Sequence, residues 1–339
     1  MSHSFHVHSH QQHLKWSSTI SPIHTVPSGS IVSFDLRDGG NNQITPQSAS
    51  SPSSALSSFD LTQADPAMGP VYVSGAEPGD VLKVEFLELT PADYGWTAIL
   101  PGFGLLSDEF PEPQLKLWDL SNLSASSSSP RKATFKKGIE VPIKPFLGVV
   151  GVAPPPTMGP LSTIPPYPMV GGNMDCRTAT KVGCTLYLPV NVPGALFSCG
   201  DGHAAQGDGE VCGTAIETPV KATVRLTVEK AHVRATKGYR LNCPHYTTPE
   251  PSREEVESEV QERAKGEYAA LGIHENIREA SRMAVRGVID WLVAERGLTR
   301  EEAYMLTSVC AGLTMAEVVD MPNYAISCSI PLSIFTDSN

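Results

Sequence analysis

Lys221-Ala222-Thr223-Val224-Arg225-Leu226-Thr227-Val228 alternates polar and apolar side chains without a break. A period of two turns Ala222, Val224, Leu226 and Val228 to one face, the pattern of a strand with one side in a core. The same pattern recurs outward along the chain. Ser30 to Asp35 follows the turn Pro27-Ser28-Gly29, and Val71-Tyr72-Val73 leads into Glu77-Pro78-Gly79-Asp80, after which Leu82, Val84 and Phe86 alternate with Lys83 and Glu85. Leu186 to Val190, Val211 to Ile216, and Tyr324 to Ile330 before Pro331 read as further strands. Short strands joined by Gly/Pro turns, with no regular helices between them, predict a mainly β protein with a β-sandwich or jelly-roll-like core and disfavour a doubly wound sheet.

Helical patterning comes late, which makes the fold α+β with peripheral helices. Ser252-Arg253-Glu254-Glu255 and Thr299-Arg300-Glu301-Glu302 match the capping box. Between Ile277 and Leu292, apolar residues recur at Ile277, Ala280, Ala284, Val288 and Trp291, one face of an amphipathic helix. Residues 14–246 are therefore expected to form a β-rich catalytic core, with 247–339 adding a helical segment and a final strand to it. The first thirteen residues hold His3, His6, His8, His10 and His13 and read as a disordered His-rich tail, with metal binding as the other reading. Ser48 to Ser58 and Ser121 to Ser129 read as exposed loops.

Composition narrows the function. The 339 residues carry a net charge of −11, which opposes nucleic acid or an acidic membrane as a partner. No apolar run reaches the ~20 residues of a spanning helix, and no signal-peptide pattern is seen. Seven cysteines without a CxxC pair fit a reduced, cytoplasmic protein rather than a disulfide framework or zinc ribbon.

The chemistry concentrates between Gly171 and Glu217. Gly171-Gly172-Asn173-Met174-Asp175 opens the segment; Cys199-Gly200-Asp201-Gly202-His203 and Gly207-Asp208-Gly209-Glu210 follow. Glycines allow tight turns, so neighbouring carboxylates can converge, and Asp with His suits a divalent ion that takes oxygen and nitrogen ligands. Asp35-Leu36-Arg37-Asp38-Gly39-Gly40 is another acid-rich turn. Seven residues apart in an extended segment, Glu210 and Glu217 are expected on opposite sides of one strand. Cys199 is the thiol nearest this cluster, with His203 as its candidate base.

Four ordered blocks carry a resemblance. They are Gly172-Asn173-Met174-Asp175 with Leu188-Pro189-Val190, Gly194-Ala195-Leu196-Phe197 and Gly200 through Glu210; Gly69-Pro70-Val71-Tyr72-Val73 with Gly75 to Asp80; Phe146 to Pro154; and Ala303-Tyr304 to Val319-Asp320-Met321-Pro322-Asn323. Over residues 14 to 335 the chain resembles the acetamidase/formamidase family. It departs at Met68, where a Thr is expected before Gly-Pro, and at Asn41-Asn42, where the family often has Gly. The resemblance implies hydrolysis of small aliphatic amides such as formamide and acetamide to carboxylate and ammonia. It also implies a β-sandwich-rich fold, a homo-oligomer and a bound divalent metal, zinc foremost, with calcium or another ion open. Within these motifs Asp38, Asp175 and His203 are the expected metal ligands, with Asp201 beside them in the catalytic set. Glu210 is the expected acid/base and Glu217 its alternate. The rival readings are a Cys199-dependent amidase and a non-catalytic β-sandwich that binds a small ligand or metal.

Overall fold

The computed structural model describes residues 5–121, 131–137, 139–231, 241–250, 266–300, 303, 307 and 311–335. Among these, the period-two segments form two sheets of nine strands each. The strand Val220–Glu229 lies inside the first sheet, antiparallel to Ser30–Leu36 on one side and to Val81–Pro91 on the other. Thr185–Pro189, His245–Thr247, Glu267–His274, Tyr324–Pro331 and Gly312–Glu317 continue that sheet to its far edge. In the second sheet, Phe197–Ala205 is buried at every position. It pairs with Phe146–Gly151, Ala67–Ser74 and the two-residue strand Ile216–Glu217.

The two sheets share one core. Val32, Phe34, Val84, Phe86, Val224 and Leu226 from the first meet Met68, Val71, Leu147, Val150, Phe197 and Cys199 from the second. Phe34 and Phe197 touch edge to face across the layer, 6.0 Å between centroids. The arrangement is the expected mainly β sandwich.

The helix Ile277–Arg296 covers the outer face of the first sheet. The Asn276 side chain caps it by accepting from the N–H groups of Arg278 and Glu279, and Gly297 ends it in the left-handed conformation at φ 66°. Ala280, Ala284, Val288, Trp291 and Leu292 are buried, whereas Ile277 at the first turn stays exposed. The helix lies very close: a Cβ on Gly272 would collide with the Ala280 carbonyl, so this sheet position admits only glycine. The capping box at Ser252 and the loop from 122 to 129 lie outside the described residues, as do Glu301 and Glu302 of the second box.

Two expectations are corrected. The amino-terminal histidines are not a loose tail from residue 5 onward. Phe5–Val7 pairs in parallel with Ser30–Leu36, and Gln12–His13 pairs with Ala67–Ser74, because Val7 among the histidines and Trp16 just after them supply buried apolar anchors. Ser48 to Ser58 is not irregular either. Pro46–Ser50 is a 3-10 turn and Pro52–Ser57 a short helix, held by Leu56, which packs into a cluster with Ile44, Trp96 and Leu100.

His13 Nε2 lies 2.8 Å from Ser198 Oγ, and burial lowers its pKa from 6.5 to about 4. A base whose folded pKa is depressed must be neutral in the native state. Its contribution is therefore complete above pH 6.5 and lost as pH falls toward 4. In denaturant melts, the stability of the wild type should fall over this window more steeply than that of His13→Gln, by at most about 1.4 kcal/mol per pH unit. Parallel pH curves for the two proteins would reject the assignment.

Candidate functional site

The site forms where the strand Phe197–Ala205 meets its neighbours. Phe146, His203, Glu217 and Trp96 are partners in one row across four adjacent strands. His203 Nε2 lies 3.0 Å from Asp201 Oδ1, 3.2 Å from Glu217 Oε1 and 3.9 Å from Glu210 Oε1. On the other edge of the ring, Nδ1 lies 2.9 Å from Gln206 Oε1 and 3.6 Å from Asp175 Oδ1. Phe146 closes the flank of the imidazole edge to face, and the whole group is buried.

Several acids reach this point through unusual backbone. Asp65, Asp175, Asp201 and Glu210 have φ between 43° and 53°, a region that non-glycine residues seldom occupy. Such residues gather where the surrounding structure forces them and a function uses the result. Two glycines make room. At Gly39 a Cβ would stand 2.6 Å from Asp201 Oδ1 and 3.0 Å from both Asp65 Oδ1 and Glu217 Oε2, and at Gly148 it would collide with Asp201 and Asp175.

Glu210 and Glu217 converge on His203 instead of facing apart. The expected strand over Val211 to Ile216 is only Ile216–Glu217. Residues 207–213 form turns, with the Gly213 N–H donating to the Glu210 carbonyl, and this reversal cancels the period-two argument. Glu217 is then held by N–H groups of Ala215 (2.8 Å) and Gly39 (3.2 Å).

Asp38 belongs to a different position. Its Oδ1 accepts from the Asn42 N–H and its Oδ2 from Trp96 Nε1, at 2.9 and 3.1 Å. Among the described residues it joins none of the sets of ligand atoms close enough to share an ion. Those sets around the site are Asp175/Asp201/His203, His203/Glu210/Glu217 and Asp175/Glu210/Asp320. Asp201 thus stands with the ligand groups and Asp38 behind them. Cys199 lies in the sandwich core, and burial pushes its thiol up, so it offers no thiolate.

Asp65, Glu317 and Asp320 complete the acidic cluster and were not singled out from sequence. Asp320 accepts from Asn173 Nδ2 at 2.8 Å, and Glu317 accepts from the N–H groups of Val319 and Asp320. Asp320 stood in a quoted motif, and that was the available signal; Asp65 had none.

Electrostatics follow from burial. Desolvation raises the carboxyls of Asp65, Asp175, Asp201, Glu210 and Asp320, while Asp38 is pushed up to about 7 and Glu317 to about 8. Burial alone would lower His203, but Asp201 and Glu217 outweigh it and hold the ring well above its usual range. Glu217 responds oppositely: burial would raise it, and His203 brings it below its ordinary value.

The donor set fits a divalent cation. Gln206 Nε2 donates to the Asp175 carbonyl, so its Oε1 faces His203 and accepts from Nδ1–H. The Nε2 lone pair then points at three carboxylates, which is repulsive unless a proton or a cation lies between them. Both Asp175 carboxylate oxygens are buried without a hydrogen-bond partner. Orphaned buried oxygens beside a histidine whose other nitrogen is hydrogen-bonded are what an oxygen/nitrogen metal site requires. Beside the cluster lies a cavity of about 220 Å³, whose apolar wall includes Phe59, Trp96, Leu100, Phe103 and Ile164.

A β-sandwich that buries carboxylates and one imidazole against a small, largely apolar cavity has the equipment of a hydrolase acting on a small uncharged substrate. Comparison with known proteins gives the class. The acetamidase/formamidase family model matches residues 1–161 and 157–337, and the chain belongs to that family, whose members hydrolyse linear amide C–N bonds. A formamidase of Methylophilus methylotrophus is 27% identical, with 96% of this chain and 89% of that protein aligned. An acetamidase from Bacillus halodurans superposes with a TM-score of 0.80 at 28% identity over 98% of both chains. An acetamidase from Yersinia enterocolitica gives 0.79 at 26% identity over 98% of this chain and 93% of that one.

Filling the cradle should disrupt it. Gly39→Ala is expected to cost ~1–3 kcal/mol in denaturant unfolding, the usual penalty of overpacking. Gly207→Ala, where a Cβ would meet nothing within 4 Å, should stay within ~0.5 kcal/mol of wild type. Equal stability of the two variants would refute the close approach at Gly39.

Proposed function

We propose that this chain hydrolyses small aliphatic amides, formamide and acetamide among them, to a carboxylate and ammonia, with a divalent metal held by Asp175, Asp201 and His203. The observation that carries the reading is the His203 imidazole, hydrogen-bonded by Gln206 on one nitrogen and facing three carboxylates with the other. Zinc suits one nitrogen and several oxygen donors. A divalent ion bound there supplies Lewis-acid chemistry, acidifying a water and polarising the amide carbonyl.

The chain's own residues do the rest. Glu210, 3.9 Å from His203 Nε2, is the acid/base. Burial and the neighbouring Asp175 raise its carboxyl, which brings it nearer to the range where a group can both take and return a proton. It accepts a proton from the attacking water as the C–O bond forms and delivers it to the nitrogen as the C–N bond breaks. Ammonia is a poor leaving group until that proton arrives. Glu217 keeps the imidazole oriented and is itself fixed by the Ala215 and Gly39 N–H groups. Backbone N–H groups of the Gly-rich loop are the proposed donors to the developing oxyanion. The apolar wall of Phe59, Trp96, Leu100, Phe103 and Ile164 takes the short acyl chain. The enzyme is proposed to work in the cytoplasm as a homo-oligomer, with the exposed Leu313 and Met315 on the edge strand Gly312–Glu317 offering apolar surface to a second copy.

The test is ammonia release from formamide and acetamide before and after chelation. Release should vanish on chelation and return with one kind of ion. Glu210→Gln should lower turnover by at least about 10²-fold while metal content, measured by atomic emission, is unchanged. Full turnover in Glu210→Gln would remove its role, and release that survives complete chelation would remove the metal.

A further inference from the structure

The histidines near the amino terminus form a cluster of their own, on the other sheet from His203. In the parallel pair Phe5–Val7 with Ser30–Leu36, His6 lies opposite Ser33 and Val7 opposite Phe34, which brings His8 alongside Asp35. Alternation buries Val7, Phe34 and Leu36 and leaves His6, His8 and Asp35 together on the outer face. His6 Nε2 lies 2.9 Å and His8 Nδ1 3.8 Å from the same oxygen, Asp35 Oδ2. The two imidazoles stand 4.5 Å apart between centroids, and all three ligand atoms fall within 4.8 Å of one another.

We infer that His6, His8 and Asp35 form a second transition-metal site that takes a zinc-class ion. Tetrahedral zinc with ligands at 2.0–2.1 Å separates its donor atoms by about 3.3 Å. The two distances to Asp35 Oδ2 straddle that value, and the three side chains, 36–57% exposed, have room to adjust around an ion. His8 is exposed, and His10 stacks on it with 5.6 Å between ring centroids. His24 is not a ligand: its Nε2 bonds the His6 carbonyl at 2.7 Å and fixes the strand that carries the site. Two imidazoles and one carboxylate select zinc, nickel or copper over magnesium or calcium, which prefer all-oxygen shells.

The ion acts as a staple. Phe5–Val7 is three residues long and lies at the edge of its sheet, a weak attachment by itself. A metal joining His6 and His8 to Asp35 closes a loop of nearly thirty residues. Inside that loop, Gln12–His13 pairs with Ala67–Ser74, and His13 meets Ser198 on the strand that carries Asp201 and His203. Holding the terminus down therefore steadies the back of the strand that presents the buried cluster.

Zinc chloride is titrated into the full chain at pH 7.5 and followed by calorimetry and thermal melting. The wild type should bind one more equivalent than the His6→Ala/His8→Ala protein, and the double variant should lose the thermal shift that this equivalent produces. Asp35→Asn, nearly isosteric and outside the terminal strand, should weaken the same equivalent by at least about tenfold. His203→Ala must keep it, which separates this site from the buried one whatever the fate of the amidase reading. Unchanged stoichiometry and unchanged thermal shift in both the double variant and Asp35→Asn would overturn the site.

Discussion

The structure depends on one buried imidazole among carboxylates. Asp175, Asp201, Glu210 and Glu217 all stand within 4 Å of His203, and Asp65, Glu317 and Asp320 lie around them. Each carboxylate taken out of water carries a desolvation penalty of several kcal/mol unless it is neutralised or paired. Protonation relieves part of it, which is why most of these acids sit above their normal range. The remainder demands positive charge at the imidazole, supplied by a second proton or by a cation. Both carboxylate oxygens of Asp175 lie beside this imidazole, buried and without a hydrogen-bond partner.

The sandwich is built around that demand. Phe197–Ala205 is buried along its whole length, which excludes water from one side of the cluster. Asp201 and His203 are two residues apart on this strand and share a face, while the left-handed turn at Asp201 adjusts the direction of its carboxylate. Glu217 arrives from the adjacent strand in register with His203, and Asp175 and Glu210 arrive from turns. Gly39 and Gly148 have no side chain because the carboxylates occupy that space. The sheet thus fixes three members of the site, Asp201, His203 and Glu217, and glycine-rich turns bring in Asp175 and Glu210.

This division explains how much was legible in sequence. Strands with strict alternation, such as Val220–Glu229 and Ser30–Leu36, were readable because one face meets the core. Asp175, Asp201, His203, Glu210 and Glu217 were readable as a set because their residue types and glycines fall in one segment. Their relative positions were not. A period of two assigns opposite faces to Glu210 and Glu217 only if the segment between them is extended, and Gly207, Gly209 and Gly213 break it. Asp38 misled for the opposite reason: its acid-rich turn resembles a ligand loop, but Trp96, distant in sequence, accounts for one carboxylate oxygen. Asp65 comes from outside the quoted blocks and Glu317 from within the last of them, and no local pattern distinguishes an acid aimed inward from one on the surface. Composition signals disorder for the amino-terminal histidines, whereas the buried apolar residues Val7 among them and Trp16 just after them decide their placement.

The sign of the field in the cavity bears on the direction of the proposed reaction. In the proposed reaction a neutral amide would enter the acidic pocket without electrostatic penalty, its acyl chain against Trp96, Phe59 and Leu100. Hydrolysis converts it into an anion and a base. In the proposed reaction the carboxylate product would be repelled by the acids beside His203 that stay ionised, Glu217 foremost, and the nascent amine would be stabilised by them as it gains a proton. In a low-dielectric site such repulsion is far stronger than in water. If the cluster orients proton transfer as proposed, it would also weaken binding of the acid product, and carboxylate would compete poorly with the next amide. A cation bound at the centre would moderate this repulsion.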